Sequence, residues 1–311
     1  MADSSGIAWV FPGQGAQSVG MGKDLYDRFD AAKRVFEQAD EALGFSLSRL
    51  CFEGPEDELR LTVNVQPAIV AVSLACLAAA SEKWGGAPFS CPSFVAGHSL
   101  GEYTALAAGG VIGVPQAISL ARERGRLMHQ AGLKNPGGMA AIIGLDERVL
   151  LEVCSHTGTD IANYNCPGQL VISGAKEKVA EAVALAESRG AQRAITLAVS
   201  GAFHTHLMQP AADGLAEFIG SMAMSDASIP IVANTTAIPI SATGDIKEEL
   251  LNQLCHGVQW QRSIEFMMNN GVGTFIEIGP GKVLSGLIRR INRNLKTINI
   301  GDAAAIDTLT C

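Results

Sequence analysis

Charge is scarce in this 311-residue chain. Only 17% of its residues are Asp, Glu, Lys or Arg, and 23 basic residues are outnumbered by 31 acidic ones, for a net charge of −8. That surplus offers nothing in bulk to a nucleic-acid backbone or an anionic membrane face, so neither partner is expected. Aromatics are scarcer still, at 5%, while 48% of residues are hydrophobic and 34 are glycine. Such a mix lies far from that of disordered chains and fits Ala/Leu/Val helices joined to strands by tight turns. C-x-x-C spacing is absent from the seven cysteines, at 51, 76, 91, 154, 166, 255 and 311, and the six histidines contain no H-E-x-x-H. An odd, unclustered set points to buried thiols in a reducing compartment; it argues against a disulfide framework, and no metal site is expected. No apolar run reaches the ~18–20 residues of a membrane span; the longest, residues 68–80, carries Ser73. The opening Met1-Ala2-Asp3-Ser4-Ser5-Gly6 lacks the basic and apolar regions of a signal peptide, so the chain is not expected to be secreted.

The length fits one large or two modest domains. Residues 7–11 read as a buried strand that empties into the glycine turn Pro12-Gly13-Gln14-Gly15. Helical patterns over 22–43 and 66–84 follow, then a short strand at 93–96, a sharp turn and a helix over 102–109. Strands alternating with helices predict an α/β fold with a mainly parallel sheet covered on both faces. From residue 137 the texture changes: strand 139–144, helix 147–156, strands 160–164 and 170–173, helix 177–189 and strand 193–199. That β-α-β-β-α-β order is the split, ferredoxin-like pattern. It predicts a small ferredoxin-like domain at 134–201 inserted into a large α/β domain made of 1–133 and 202–311. Alternation then resumes with strands at 229–234 and 274–278, a helix at 247–256 and a last helix reaching about residue 293. There are no internal repeats.

Three features carry chemistry. Gly97-His98-Ser99-Leu100-Gly101 matches G-x-S-x-G between a strand and a helix, where glycines permit the tight turn that lifts a serine hydroxyl clear of the backbone. The helix start behind it supplies free N–H groups suited to an oxyanion, making Ser99 the candidate nucleophile. A base for it can come from Gly201-Ala202-Phe203-His204-Thr205-His206, at the junction where the chain re-enters the large domain; spacing alone leaves His204 and His206 both open. The third feature is a helix wheel over 116–130, which places Arg124 inside the apolar arc and Arg122 and Arg126 outside it. A guanidinium facing a core costs several kcal/mol unless an anion meets it. A structural ion pair, with Glu102 the candidate, and a bound carboxylate or phosphate answer that need equally well, and arginine's planar fork suits a carboxylate. Gly13-Gln14-Gly15 lacks the third glycine of a dinucleotide turn and better suits the presentation of backbone N–H groups to an oxyanion.

Seven blocks in order, over nearly the whole chain, resemble the malonyl-CoA:acyl-carrier-protein transacylases of type II fatty-acid synthesis. They are Phe11-Pro-Gly-Gln-Gly-Ala-Gln17, Gly97-His-Ser-Leu-Gly-Glu102, Arg124-Gly125, Asn163-Tyr-Asn-Cys-Pro-Gly-Gln169, Gly201-Ala-Phe-His204, Val258-Gln-Trp260 and Glu277-Ile-Gly-Pro-Gly281. The resemblance implies an α/β-hydrolase-like large domain and an enzyme that moves malonyl from malonyl-CoA to the phosphopantetheine thiol of acyl carrier protein, with no cofactor. It further implies Ser99 as nucleophile, His204 as base, the N–H groups of Gln14 and Leu100 as the oxyanion hole, and Arg124 on the malonyl carboxylate. Gln259 would hold His204 through its main-chain carbonyl. Where the family commonly has Ser-Pro after the histidine, this chain has Thr205-His206. Because such carriers are acidic, a local basic patch is needed for docking, and Arg289 and Arg290, with Arg293 and Lys296 beside them and Arg193 in the small domain, are the candidates. The resemblance places the chain in the bacterial cytoplasm, or in a plastid stroma if a transit segment was removed. A polyketide-type acyltransferase and a serine thioesterase or hydrolase are the rivals; the latter has no use for an arginine on an apolar face.

Overall fold

The computed structural model describes residues 6–84, 91–199 and 201–309. Strand β1 (Gly6–Phe11) is followed by five helices, α1 (Lys23–Arg28), α2 (Asp30–Leu43), α3 (Leu47–Glu53), α4 (Glu56–Arg60) and α5 (Thr62–Lys83). Then come β2 (Phe94–Gly97), α6 (Gly101–Ala108) and α7 (Val114–Lys134). A middle section holds β3 (Gly137–Ile143), α8 (Glu147–Thr157), β4 (Asp160–Cys166), β5 (Gln169–Ala175), α9 (Lys176–Ser188) and β6 (Arg193–Thr196). The remainder comprises α10 (Gln209–Gly220), β7 (Ile231–Val232), β8 (Pro239–Ile240), α11 (Thr243–Cys255), α12 (Trp260–Asn269), β9 (Val272–Ile278), α13 (Val283–Ile291), β10 (Lys296–Ile300) and α14 (Ala303–Thr308).

Two separate sheets result. The larger runs β10-β9-β1-β2-β7-β8; its first five strands are parallel and only the two-residue edge strand β8 is antiparallel. Ala8, Trp9, Val10 and Phe11 are all buried, the mark of a central strand covered on both faces. The smaller sheet, β4-β5-β3-β6, is antiparallel throughout and packs its own apolar cluster, with Ala140, Ile142 and Ile172 meeting Leu150, Val153 and Ala182 of α8 and α9. The mixed α/β fold with a mainly parallel sheet is therefore as the alternation predicts.

The departures are local and have local causes. The helix expected over 22–43 is broken at Phe29, whose extended backbone (φ −126°, ψ 119°) caps α1 and opens α2. The helices α3 and α4 are too short to print a readable period on the sequence. The strand β10 is half-buried over most of its five residues, with only Ile300 buried, and is too short to print a readable period. The apolar run at 68–80 also proves to be the middle of the 22-residue helix α5, which by length and composition could cross a membrane. Here 78% of its most apolar stretch is buried inside the fold, against α2 and α7.

Candidate active site

The site is built where β1 and β2 end. The turn after β2 closes so tightly that a Cβ on Gly97 would lie 1.8 Å from the Gly101 carbonyl carbon, and one on Gly101 would lie 2.1 Å from the Phe11 oxygen at the end of β1. Ser99 between them is held at φ 51°, a left-handed conformation that a non-glycine residue adopts only under constraint. Asn234, just beyond β7, supplies that constraint: its Oδ1 accepts from the Ser99 N–H at 2.7 Å and its Nδ2 donates to the Gly97 carbonyl at 2.7 Å. Substituting Gly97 by alanine should destabilise the protein by about 3 kcal/mol or more, since the clash is with main chain. A melting curve and a count of acylated Ser99 would both register it; a wild-type melt with full acylation would refute the elbow geometry.

His204 also sits in the left-handed region, at φ 62°, in the turn where the Thr205 hydroxyl donates to the Ala202 carbonyl at 2.8 Å. Its Nε2 lies 2.8 Å from Ser99 Oγ. Its Nδ1 lies 2.7 Å from the main-chain carbonyl of Gln253. A carbonyl only accepts, so Nδ1 carries the proton and Nε2 presents its lone pair to the serine hydroxyl. The carbonyl belongs to Gln253 and not to Gln259, as the resemblance had implied. Gln253 falls in the last turn of α11, where carbonyls have no partner within the helix and carry the negative end of its dipole. The Gln259 carbonyl is already engaged with Ser263 N at the start of α12. His206 points away: its side chain is 78% exposed and its Nδ1 lies 3.7 Å from Asp160. Burial first, and the neighbouring Arg124 charge second, pull the His204 imidazole down to about 3, so it is a neutral acceptor at any ordinary pH.

Arg124 is 1% exposed on the inner face of α7, its guanidinium 5.1 Å from the centre of the Tyr103 ring. Arg126 lies outward, paired with Glu123, and Arg122 is half-buried on the Val63 carbonyl, so the wheel sorts the three arginines as drawn. Every hydrogen-bond partner of Arg124 is neutral: Gln66 Oε1 at 3.0 Å, Gln253 Oε1 at 2.8 Å and Ser99 Oγ at 3.1 Å. Its Nε has none. Glu102 does not pair with it directly. That buried carboxylate accepts instead from the Asn234 N–H and Nδ2, at 2.9 and 3.0 Å, and from Gln253 Nε2. Burial and the nearby Glu249 push Glu102 well above the ordinary carboxylate range. Gln253 thus joins three parts of the site, through its carbonyl to His204, its Oε1 to Arg124 and its Nε2 to the Ser99 carbonyl at 2.9 Å.

These groups open on a cavity of about 360 Å³ between the two sheets. Gln14, Ser99, Leu100 and Arg124 line it on one side, Met139, Asn163 and Leu197 on the other, with Phe203 and His204 at the junction. Gln14 follows the β1 end that presses on Gly101, Leu100 stands at the N-terminus of α6, and both line the cavity with Ser99. A family model for the acyl transferase domain matches residues 8–308.

The chain belongs to that family. Among curated relatives, this acyl transferase chain is 47% identical over 308 residues to the malonyl CoA-acyl carrier protein transacylase of Bacillus subtilis, covering 97% of this chain and 96% of that one. The Haemophilus influenzae protein of the same name is 40% identical over 307 residues, covering 97% of each. An acyl-carrier-protein S-malonyltransferase from Bartonella henselae superposes with a TM-score of 0.93 at 45% identity, again over 97% of each chain. A malonyl-transacylase solved with a type II PKS acyl-carrier protein superposes with a TM-score of 0.93 at 40% identity, over 98% of each.

Four site residues of this acyl transferase escaped the sequence reading: Gln66, Glu102 as a scaffold for its neighbours, Asn234 and Gln253. Two left a signal. Gln66 is an amide at the head of an apolar run, and Asn234 follows a strand of a parallel sheet at its carboxyl end, where such folds place ligands. Gln253 leaves no such mark in its surroundings.

Proposed function

We propose that this chain transfers the malonyl group of malonyl-CoA to the phosphopantetheine thiol of acyl carrier protein, through a malonyl ester on Ser99, in the supply of fatty-acid synthesis. The observation that carries the reading is Arg124, a fully buried guanidinium 3.1 Å from the Ser99 hydroxyl with only neutral partners. A buried cation without an anion is unstable by several kcal/mol, and a carboxylate on the substrate supplies one. In the first half-reaction Ser99 Oγ attacks the thioester carbonyl while its proton passes to His204 Nε2. The oxyanion then lies within reach of the Gln14 and Leu100 N–H groups, and collapse expels coenzyme A with the proton returned from His204. In the second, the carrier's thiol gives its proton to His204 and attacks the ester, and the product leaves as malonyl thioester while His204 returns the proton to Ser99 Oγ. No cofactor enters the balance. Intact-protein mass spectrometry after brief exposure to malonyl-CoA should find one malonyl adduct on the wild type and none on Ser99→Ala. Release of free malonate without a thiol acceptor would favour a hydrolase.

The finer fold reading belongs with this function. We take the large unit, 1–133 with 202–311, as α/β-hydrolase-like and 134–201 as ferredoxin-like; the chain order β3-α8-β4-β5-α9-β6 and sheet order β4-β5-β3-β6 support it. Bacterial sources among the relatives support a cytoplasmic setting. For carrier docking, Arg289, Arg290 and Arg193 are all exposed, and Arg290 donates to Gln169 Oε1. Gln169, Ile143 and Arg193 form one rung across three strands, so cations stand at both ends of a line ~10 Å long. Reversing Arg289 and Arg290 to glutamate should raise KM for carrier protein while leaving acylation by malonyl-CoA intact; an unchanged KM would remove α13 from the docking surface. The relative solved with a type II PKS carrier favours a second reading in which the carrier serves polyketide synthesis. Transfer rates to the two kinds of carrier decide between them.

A further inference from the structure

The guanidinium of Arg124 does more than wait for a carboxylate, because it already holds the nucleophile. Of its five N–H donors, one goes from Nη1 to Gln66, one from Nη2 to Gln253 and one from Nη2 to Ser99 Oγ; Nε has no partner. A bidentate carboxylate needs two parallel donors on one edge of the fork. The edge between Nε and Nη1 is blocked by the side chain's own Cδ, so the usable edges are Nε with Nη2 and Nη1 with Nη2. Each requires an Nη2 hydrogen, and both Nη2 hydrogens are taken.

Seating a carboxylate must therefore displace either Gln253 or Ser99. Gln253 is fully buried and fixed from three directions, with its Nε2 on the Ser99 carbonyl at 2.9 Å and on Glu102, and its own carbonyl on His204 at 2.7 Å. Ser99 Oγ lines the cavity from which the substrate arrives. We propose that Arg124 is a latch on the Ser99 hydroxyl, and that the free carboxylate of the incoming acyl group releases it by taking the Nη2 hydrogen in its place.

The consequence for specificity rests on the malonyl reading above and deepens it. In the resting site the hydroxyl donates to His204 Nε2 and accepts from Arg124 at 3.1 Å, so one oxygen lone pair is occupied by a cation and drawn away from attack. A seated carboxylate frees that lone pair and neutralises the charge nearest the imidazole, which strengthens the base at the moment it is needed. An acyl group without a carboxylate meets a latched serine. Discrimination then appears in the acylation step as well as in binding.

Cutting the substrate in two tests this. Acetyl-CoA supplies the thioester without the carboxylate, and formate supplies the carboxylate alone. Acetylation of Ser99 in the wild type, followed by intact mass, should rise about tenfold when chloride is replaced by formate at equal ionic strength, equivalent to ~1.4 kcal/mol in the barrier. Arg124→Ala should acetylate faster than the wild type without formate and gain nothing from it. Formate that slows wild-type acetylation, or leaves it unchanged, overturns the latch. That comparison uses only the unaltered protein, so it stands however the variant folds. Failure of the malonyl reading is distinct, for it would show as no malonyl adduct on the wild type with malonyl-CoA.

Discussion

Replacing His204 by alanine is expected to lower acylation by malonyl-CoA about 10³–10⁴-fold, with substrate binding nearly unchanged, because the loss is of a proton acceptor that acts only as the new bond forms. The imidazole touches the Ser99 hydroxyl on one side and the end of α11 on the other, which places its lone pair to take the proton. His206→Ala, by contrast, should retain near wild-type rates, since that ring stands 78% exposed beside Asp160. The pH profile follows from the depressed imidazole. Activity is present while His204 is neutral and is lost as pH falls through its pKa, which burial and Arg124 pull to about 3. The acid limb of kcat/KM for acylation should therefore lie well below the ordinary histidine range near 6.5. A limb centred at 6.5 or above in the free enzyme would mean that His204 is hydrated, or that another group is the base.

The fold was legible wherever one period ran long enough. Buried parallel strands such as residues 7–11 print as unbroken apolar runs, and the middle section prints a β-α-β-β-α-β order that the smaller sheet keeps. Tertiary context decided the rest. One extended residue, Phe29, splits what reads as a single amphipathic helix, and the period of α2 carries no mark of it. The helix α5 begins four residues before the sequence reading placed its start, and over its full 22 residues a core helix and a membrane span look alike in length and composition.

The site divides in a similar way. Ser99 and Arg124 were visible because each violates a local rule: one is a serine between two glycines at a strand's end, the other a cation on an apolar face. What orients them was not visible. Gln66, Asn234 and Gln253 are amides whose partners lie 58, 135 and 129 residues away in the chain, and such pairing leaves no periodicity. The transfer of the histidine-holding carbonyl from Gln259 to Gln253 has the same origin. A main-chain oxygen has no residue type, so only the position of a helix end can identify it.

Arg124→Ala should cost malonyl-CoA about 10³-fold in kcat/KM and reverse the preference between malonyl-CoA and acetyl-CoA. The size follows from what is lost. A desolvated carboxylate held by two charge-assisted hydrogen bonds loses both partners, and truncating one member of such a buried pair costs about 2–5 kcal/mol. Arg124→Lys should recover little, because a single ammonium cannot span Gln66, Gln253 and a carboxylate from one planar fork. Free malonate provides a second readout that does not depend on turnover. A ligand bound only by the folded state raises the melting temperature by mass action, so saturating malonate should raise that of the wild type by several degrees and leave that of Arg124→Ala unmoved. Equal stabilisation of both proteins would place the diacid elsewhere. In that case the buried guanidinium would have to be explained by the fold alone, through Gln253 and the Glu102 carboxylate behind it.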